Sequence, residues 1–175
     1  MKETYRRTAE LLLDIAPRVF EETQLAMKGG TAINLFIRDM PRLSVDIDLV
    51  YLPKEHAREQ ALEEIKAALN RIRERLLRLP GVEAGLLAGV SGDDVRLQAT
   101  RGGERVKVEV NQVFRGTVYP VVRRRLMPAA SALFRREVEV SLRPTSSLFT
   151  AATIASRPLR AGFPRRPTAC CCPQG

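Results

Sequence analysis

Two short segments of the chain carry residues that could bind a nucleotide phosphate and a divalent metal ion side by side. The first is Lys28-Gly29-Gly30-Thr31, which follows a short apolar run at residues 25–27. Glycine amides, a threonine hydroxyl and the positive end of a following helix dipole together form an anion site. Many Gly-Gly turns only reverse the chain, so this segment alone is weak evidence for a phosphate site. The prediction depends on the segment that follows it.

The second segment, residues 42–50, alternates between apolar and polar side chains, as a half-buried strand does. Its apolar side carries Leu43, Val45, Ile47 and Leu49, and its polar side carries Arg42, Ser44, Asp46 and Asp48. Two like charges on one face of a strand repel each other. A divalent cation would offset that repulsion, and carboxylate oxygens suit Mg²⁺. The alternative is a solvated strand edge with scattered acids.

A third carboxylate comes from the alternating run at residues 105–114. There Lys107, Glu109 and Asn111 point away from the side that carries the valines. If this strand lies beside the strand of the two aspartates, Glu109 joins the site. Otherwise it is an ordinary exposed glutamate.

Three helices are predicted to support these strands. An amphipathic helix covers residues 3–16 and continues with a kink past Pro17 towards Glu22. A short helix follows the glycines, capped by Thr31 and ended before Pro41. A long charged helix covers residues 54–79, with His56 near its start as a surface residue.

Five strands are predicted from apolar runs and from alternation. They cover residues 25–27, 42–50, 95–101, 105–114 and 137–142, and a sixth is expected at 118–122. Gly102 and Gly103 form a hairpin turn between the third and the fourth. Arg123, Arg124 and Arg125 are expected to form a basic surface patch.

The composition favours a globular protein of the cytoplasm. No run approaches the roughly 20 apolar residues that span a bilayer, and the N-terminus lacks the apolar stretch of a signal peptide. The three consecutive cysteines at 170–172 suit neither a disulfide framework nor a zinc site. The net charge of +9 invites a nucleic-acid interpretation, but beyond Glu139 the only charged residues are arginines, so the excess is concentrated in the tail.

The two linked blocks KGGTAINLF and RLSVDIDLVY resemble the hallmark of the AbiEii/AbiGii family of nucleotidyltransferase toxins. The resemblance implies an α+β protein with the DNA polymerase β-like nucleotidyltransferase fold, a mixed sheet flanked by helices. It covers residues 1–142, which we take as the nucleotidyltransferase domain.

The resemblance also implies catalytic roles. Asp46 and Asp48 would be Mg²⁺ ligands, with a two-metal site possible, and Glu109 would replace a third carboxylate that is often aspartate in relatives. Glu109 would accept the proton of an attacking hydroxyl, or orient that hydroxyl, during in-line attack on the α-phosphorus of a nucleoside triphosphate.

Nucleotide binding is implied for the residues around these carboxylates. The triphosphate tail would lie on Gly29, Gly30 and Thr31. The other residues implied to face phosphate are Lys28, Arg42 and Ser44.

Partners follow from the same resemblance. Members act as toxins of two-gene toxin–antitoxin systems, and some add nucleotides to tRNA 3′ ends. The implied partners are a nucleoside triphosphate, an RNA acceptor and a cognate antitoxin, with no membrane. The substrate base is not readable from the sequence.

Residues 143–175 depart from the family, whose members continue into a helical half with further basic and acidic groups. This segment is basic and proline-rich and has no acid. It is either a disordered tail that binds RNA or the out-of-frame end of a truncated member. The leading interpretation is therefore a nucleotidyltransferase. The alternatives are a catalytically inert remnant or antitoxin-binding module, and a basic RNA-binding protein.

Overall fold

A seven-stranded sheet and four helices make up the part of the chain that the computed structural model describes, residues 3–38, 44–87 and 96–143. The helices are α1 (Glu3–Val19), α2 (Gly29–Phe36), α3 (Arg58–Leu76) and α4 (Pro128–Phe134). The strands are β1 (Leu25–Lys28), β2 (Ile47–Tyr51), β3 (Glu83–Leu87), β4 (Arg96–Arg101), β5 (Glu104–Asn111), β6 (Val122–Arg125) and β7 (Glu139–Leu142).

The strand order in the sheet is β3-β4-β5-β2-β1-β7-β6. Strand β2 lies at its centre, antiparallel to β1 and parallel to β5. The β1–β7 pair is also parallel, whereas β3–β4, β4–β5 and β6–β7 are antiparallel. The predicted mixed sheet flanked by helices is therefore confirmed.

One face of the sheet is buried against α1 and α3, which also pack against each other. Alternate residues of β4 and β5 enter this core, and Leu97, Ala99, Val106 and Val108 have no exposed surface. The side chains between them remain exposed or half-buried. The alternation in the sequence thus determines which face of the sheet carries side chains that are free for chemistry.

Carboxylates fix α1 to the elements around it. Asp14 accepts a hydrogen bond from the guanidinium of Arg101, at the end of β4. Glu22, in the loop after α1, is 6% exposed and pairs with Arg71 at 2.8 Å and Arg75 at 2.7 Å, both on α3. Such pairs help to fix how the helices pack on the sheet. A shift of a helix would break a pair and leave a partly buried charge without its partner, which costs free energy.

The helix predictions hold with adjusted bounds. Helix α1 includes Pro17, as expected, but ends at Val19 instead of continuing to Glu22. Helix α3 is shorter at both ends than the predicted span 54–79. Helix α4 was not predicted.

The strand predictions are correct around the hairpin and wrong elsewhere. Gly102 and Gly103 join β4 to β5 as predicted. The strand expected at 118–122 is wrong: Val118 is 84% exposed, and β6 occupies the arginine-rich segment that follows. Strand β3 was not predicted. The predicted strand 42–50 is also wrong at its start, because β2 begins only at Ile47 and residues 44–46 are not in a strand; residues 42 and 43 lie outside the described residues.

Candidate active site

Strand β1 runs directly into α2 through two glycines. Lys28 is the last residue of β1 and the N-cap of α2, with an extended φ of −136°. Gly29 takes a φ of +80°, a left-handed conformation that other residues adopt at a cost. Gly29 and Gly30 form the first turn of α2, where backbone amides have no partner within the helix. This turn has the anion-binding character expected of a helix start.

Thr31 does not cap the helix. The helix begins three residues earlier than predicted, so Thr31 lies inside its first turn and is fully buried. Its Oγ1 atom has no hydrogen-bond partner among the described residues, nor has the Nδ2 atom of Asn34 one turn further on. Buried polar atoms without partners destabilise a fold. The Thr31 hydroxyl has no exposed surface, so the protein encloses it.

Asp48 packs directly against the glycine turn. In the antiparallel pairing of β1 with β2, Lys28 lies opposite Asp48. A Cβ atom added to Gly29 would collide with the Asp48 carboxylate and would approach its Cγ to 3.2 Å. The phosphate-type turn and the aspartate are therefore parts of one small site.

Glu109 lies beside Asp48 on the next strand. The parallel register of β2 and β5 places the two residues opposite each other. Burial raises the pKa of Asp48, the charge of Lys28 opposes this effect, and Asp46 and Glu109 raise the pKa further. These four charged groups thus interact electrostatically at one place on the sheet.

The remaining predicted residues surround this group. Asp46 is exposed and lies just before β2, and Ser44 is half-buried two residues earlier. Arg42 lies outside the described residues.

Arg96 is a neighbour of the site that sequence reasoning did not identify. It lies opposite Glu109 in the β4–β5 pairing, with its Nε atom 3.5 Å from Oε1 of the glutamate. A two-residue turn at Gly102 and Gly103 sets this register, so counting back from the turn would have found it.

The carboxylates fit a hard divalent cation by their chemistry. No group of three His, Cys, Asp or Glu side chains in the described ranges is already arranged to hold a metal ion. Nevertheless, Asp46, Asp48 and Glu109 offer oxygen ligands on neighbouring backbone segments. Burial is the main cause of the raised pKa of Asp48, and repulsion by Asp46 and Glu109, which a cation would relieve, adds to it. Oxygen ligands of this kind suit Mg²⁺.

His56 is not the free surface residue that was predicted. It is half-buried, and its Nδ1 atom is 2.9 Å from the hydroxyl of Tyr51. Arg115 also donates a hydrogen bond to the backbone carbonyl of His56 at 2.7 Å. These contacts lie at the end of β2 that is remote from Asp48, so they hold the loop before α3 in place.

The sequence matches the family model described as "Nucleotidyl transferase AbiEii toxin, Type IV TA system" over residues 10–151. The chain belongs to the AbiEii nucleotidyltransferase toxin family. The match includes the glycine turn, both aspartates and Glu109, and it continues past residue 142, where we placed the end of the domain.

A solved structure has a similar fold. It is MenT4, a nucleotidyltransferase toxin from Mycobacterium tuberculosis H37Rv, with a TM-score of 0.52 and 16% sequence identity. The similarity covers 88% of this AbiEii chain and 55% of MenT4, so the chain spans about half of the length of that protein. The likeness confirms the nucleotidyltransferase fold. No curated protein matches the chain significantly.

None of the helices within the described ranges has the length and apolar character needed to cross a membrane.

Proposed function

We propose that this AbiEii chain transfers a nucleoside monophosphate from a nucleoside triphosphate to a hydroxyl group of an RNA acceptor, and that it acts as the toxin of a toxin–antitoxin pair in the cytoplasm. The observation that carries the proposal is the contact of Asp48 with Gly29 on one side and its pairing with Glu109 on the other. This arrangement joins a phosphate-type turn to a group of carboxylates.

The triphosphate tail would lie on the first turn of α2. The amides of Gly29 and Gly30 would donate hydrogen bonds to phosphate oxygens, and the unpartnered hydroxyl of Thr31 lies within the same turn. Lys28 would add a positive charge at the edge of this turn. Ser44 and Arg42 are proposed to face the same phosphates.

The carboxylates would act at the α-phosphorus. Asp46 and Asp48 would hold Mg²⁺, and Glu109 would complete the ligand set. The metal would stabilise the entering and leaving oxygens of an in-line displacement.

Glu109 would also position the acceptor. The acceptor hydroxyl oxygen forms a bond to the α-phosphorus, and the bond from that phosphorus to the bridging oxygen breaks. Pyrophosphate leaves with the electron pair, and the hydroxyl proton passes to Glu109 or to water that Glu109 orients. The weak pairing of Glu109 with Arg96 would hold its carboxylate on the open face of the sheet.

A second candidate function is that of an inert remnant or antitoxin-binding module. The observation that favours it is the length of the match, because the chain corresponds to only about half of MenT4. In that case the domain of residues 1–142 would keep the site without the groups that complete catalysis, and residues 143–175 would be an atypical tail.

One assay separates the two. The protein is incubated with Mg²⁺, each labelled nucleoside triphosphate in turn and total tRNA, and compared with an Asp46→Ala/Asp48→Ala variant. Transfer of label that the variant has lost supports the enzyme. Absence of transfer by the unaltered chain, together with binding of the cognate antitoxin, supports the module.

A further inference from the structure

The face of the β4–β5 hairpin that points away from the helices carries a row of polar side chains. Cross-strand pairs on this face are Arg96 with Glu109, Gln98 with Lys107, and Thr100 with Arg105. We refer to these six residues as the β4–β5 ladder. The residues between them are the buried ones that pack into the core, so the ladder is the solvent side of the hairpin.

The ladder begins at the proposed active site. Its first pair contains Glu109, which also lies opposite Asp48 on β2. Successive pairs on one face of a strand are about 7 Å apart, so the third pair lies about 14 Å from the first. The ladder is therefore a track that leads from the carboxylates to the turn at Gly102 and Gly103.

Two cations on this track lack ion-pair partners. Arg105 and Lys107 are exposed, and neither has a carboxylate within 4.0 Å among the described residues. Some other arginines in these ranges do have one, as in the pairs Arg18–Glu21 and Arg71–Glu22. Unpaired cations on the same face of one strand can contact an anionic polymer.

The surroundings of the two cations are polar throughout. A groove in the surface follows the far end of the ladder and is lined in part by Gln98, Thr100 and Arg105. Glu83 also lines this groove, where it accepts a long hydrogen bond of 3.5 Å from Thr100. No side chain of the ladder is aromatic, so the track offers charges and hydrogen bonds but no surface for base stacking.

We propose that the β4–β5 ladder binds the backbone of a single-stranded polynucleotide whose 3′ end lies at Glu109. Arg105 and Lys107 contact successive phosphates, and Gln98 and Thr100 bond to sugar or phosphate oxygens. Contacts of this kind position a strand without reading its sequence. The inference rests on the proposed function for the direction of the strand, because it places the terminal hydroxyl beside the carboxylates.

Direct binding tests the ladder without any catalysis. Fluorescence anisotropy of a labelled, short single-stranded RNA of mixed sequence is measured in the absence of nucleoside triphosphate over a range of salt concentrations. For Arg105→Gln/Lys107→Gln we expect roughly tenfold weaker binding at low salt. The slope of log affinity against log salt should fall by about 1.4, since each single-strand phosphate contact contributes about 0.7.

A control variant removes the same charge elsewhere. Lys66→Gln/Arg78→Gln replaces exposed cations on α3 and just after it, and we expect its salt slope to be unchanged. Arg105→Lys/Lys107→Arg changes the same two side chains but keeps both charges, and it should retain binding. Its binding would show that the glutamine variant loses affinity through its missing charges, and not because substitution at these positions misfolds the protein. Equal weakening by the ladder and control variants would overturn the proposal. A competition experiment gives a second test, in which polyglutamate and unlabelled RNA are each added to the labelled complex. Equally effective displacement by polyglutamate would also overturn the proposal, because it would indicate that the ligand is an acidic protein.

Failure here is distinguishable from failure of the proposed function. Label transfer that depends on Asp46 and Asp48, with an unchanged salt slope in the ladder variant, refutes the ladder and leaves the enzyme. Absence of transfer, with the slope reduced as expected, refutes the enzyme and leaves the ladder.

Discussion

Gly29 and Asp48 are so close that no side chain fits between them. The glycine has a positive φ, and a Cβ atom there would overlap the aspartate carboxylate. Two separate segments of the sequence thus meet as complementary surfaces, one without a side chain and one with a charged side chain. The carboxylate is held at the start of α2 by shape as well as by charge.

Replacing Gly29 should therefore affect chemistry more than folding. In Gly29→Ala the carboxylate of Asp48 has to rotate away from the new methyl group while its Cβ lies 3.3 Å from that group, so we expect a loss of at least about 1–2 kcal/mol in stability, the cost of the left-handed backbone alone. Label transfer should fall by about 100-fold or more because the aspartate is displaced. Urea unfolding and the transfer assay measure the two effects.

Gly103→Ala is the matched control, since Gly103 has a similar φ of +87° with nothing within 4 Å of its Cβ position. It should lose comparable stability and keep transfer. Transfer by Gly29→Ala equal to that by Gly103→Ala would show that the contact with Asp48 is unimportant.

Asp48→Asn should separate stability from activity. The substitution removes a half-buried charge that Asp46 and Glu109 repel, so without metal we expect a gain of about 0.5–1 kcal/mol. It also removes a proposed metal ligand, so transfer should be lost. Thermal unfolding with and without Mg²⁺ checks both points.

In that experiment, Mg²⁺ should raise the melting temperature of the unaltered chain, as any ligand of the folded state does, and should leave that of the variant unchanged. Equal stabilisation of both proteins by Mg²⁺ would place the metal elsewhere.

Glu22 should make stability dependent on pH. Burial alone would raise its pKa, but hydrogen bonds and charges from Arg71 and Arg75 outweigh burial and hold the pKa below the ordinary 4.5. Its contribution is therefore complete above that value and is lost as the pH falls through the lowered pKa. At neutral pH, Glu22→Gln should cost about 2 kcal/mol.

Unfolding free energies measured by urea between neutral and acidic pH should converge for the variant and the unaltered chain at the acid end. Glu21→Gln is the control: the Glu21 side chain is 43% exposed although it pairs with Arg18 and Arg75, so it should cost less than about 1 kcal/mol. A pH-independent difference for Glu22→Gln would contradict the assigned cause.

Tyr51 and His56 should be energetically coupled. The tyrosine is fully buried, and its hydroxyl lies 2.9 Å from the imidazole. A double-mutant cycle with Tyr51→Phe and His56→Ala should give a coupling energy of about 1 kcal/mol, the net value of a hydrogen bond. Combining Tyr51→Phe with Glu21→Gln, a residue that pairs with Arg18 and Arg75, should give additive effects, and additivity in the first cycle would refute the bond.

The sequence pattern was sufficient to locate β4 and β5. Alternation identified the faces of β4 and β5, and the hairpin glycines set their register. The sequence did not predict that Asp48 and Glu109 pair; it predicted only that Glu109 would join the site if the two strands were neighbours. Parallel strands are joined by long connections, so no local turn sets their register. Tertiary packing has to decide it.

Local propensity was misleading where tertiary contacts prevailed. Val118 and its neighbours resemble a strand, yet this region follows a loop in which Gly116 donates its amide to the carbonyl of Tyr51. The arginine-rich segment that follows forms the edge strand because it pairs with β7. Similarly, Thr31 has the chemistry of a helix cap, but the glycines before it begin the helix.

The central position of β2 has a consequence for synthesis of the protein. A growing chain can form the β1–β2 pair, and with it the glycine turn and both aspartates, long before β5 leaves the ribosome. Helix α1 must also wait, because β5 is the strand against which it packs most extensively. A nascent chain therefore lacks Glu109 and much of its core until β5 has left the ribosome, so the candidate site is completed late in the synthesis of the domain.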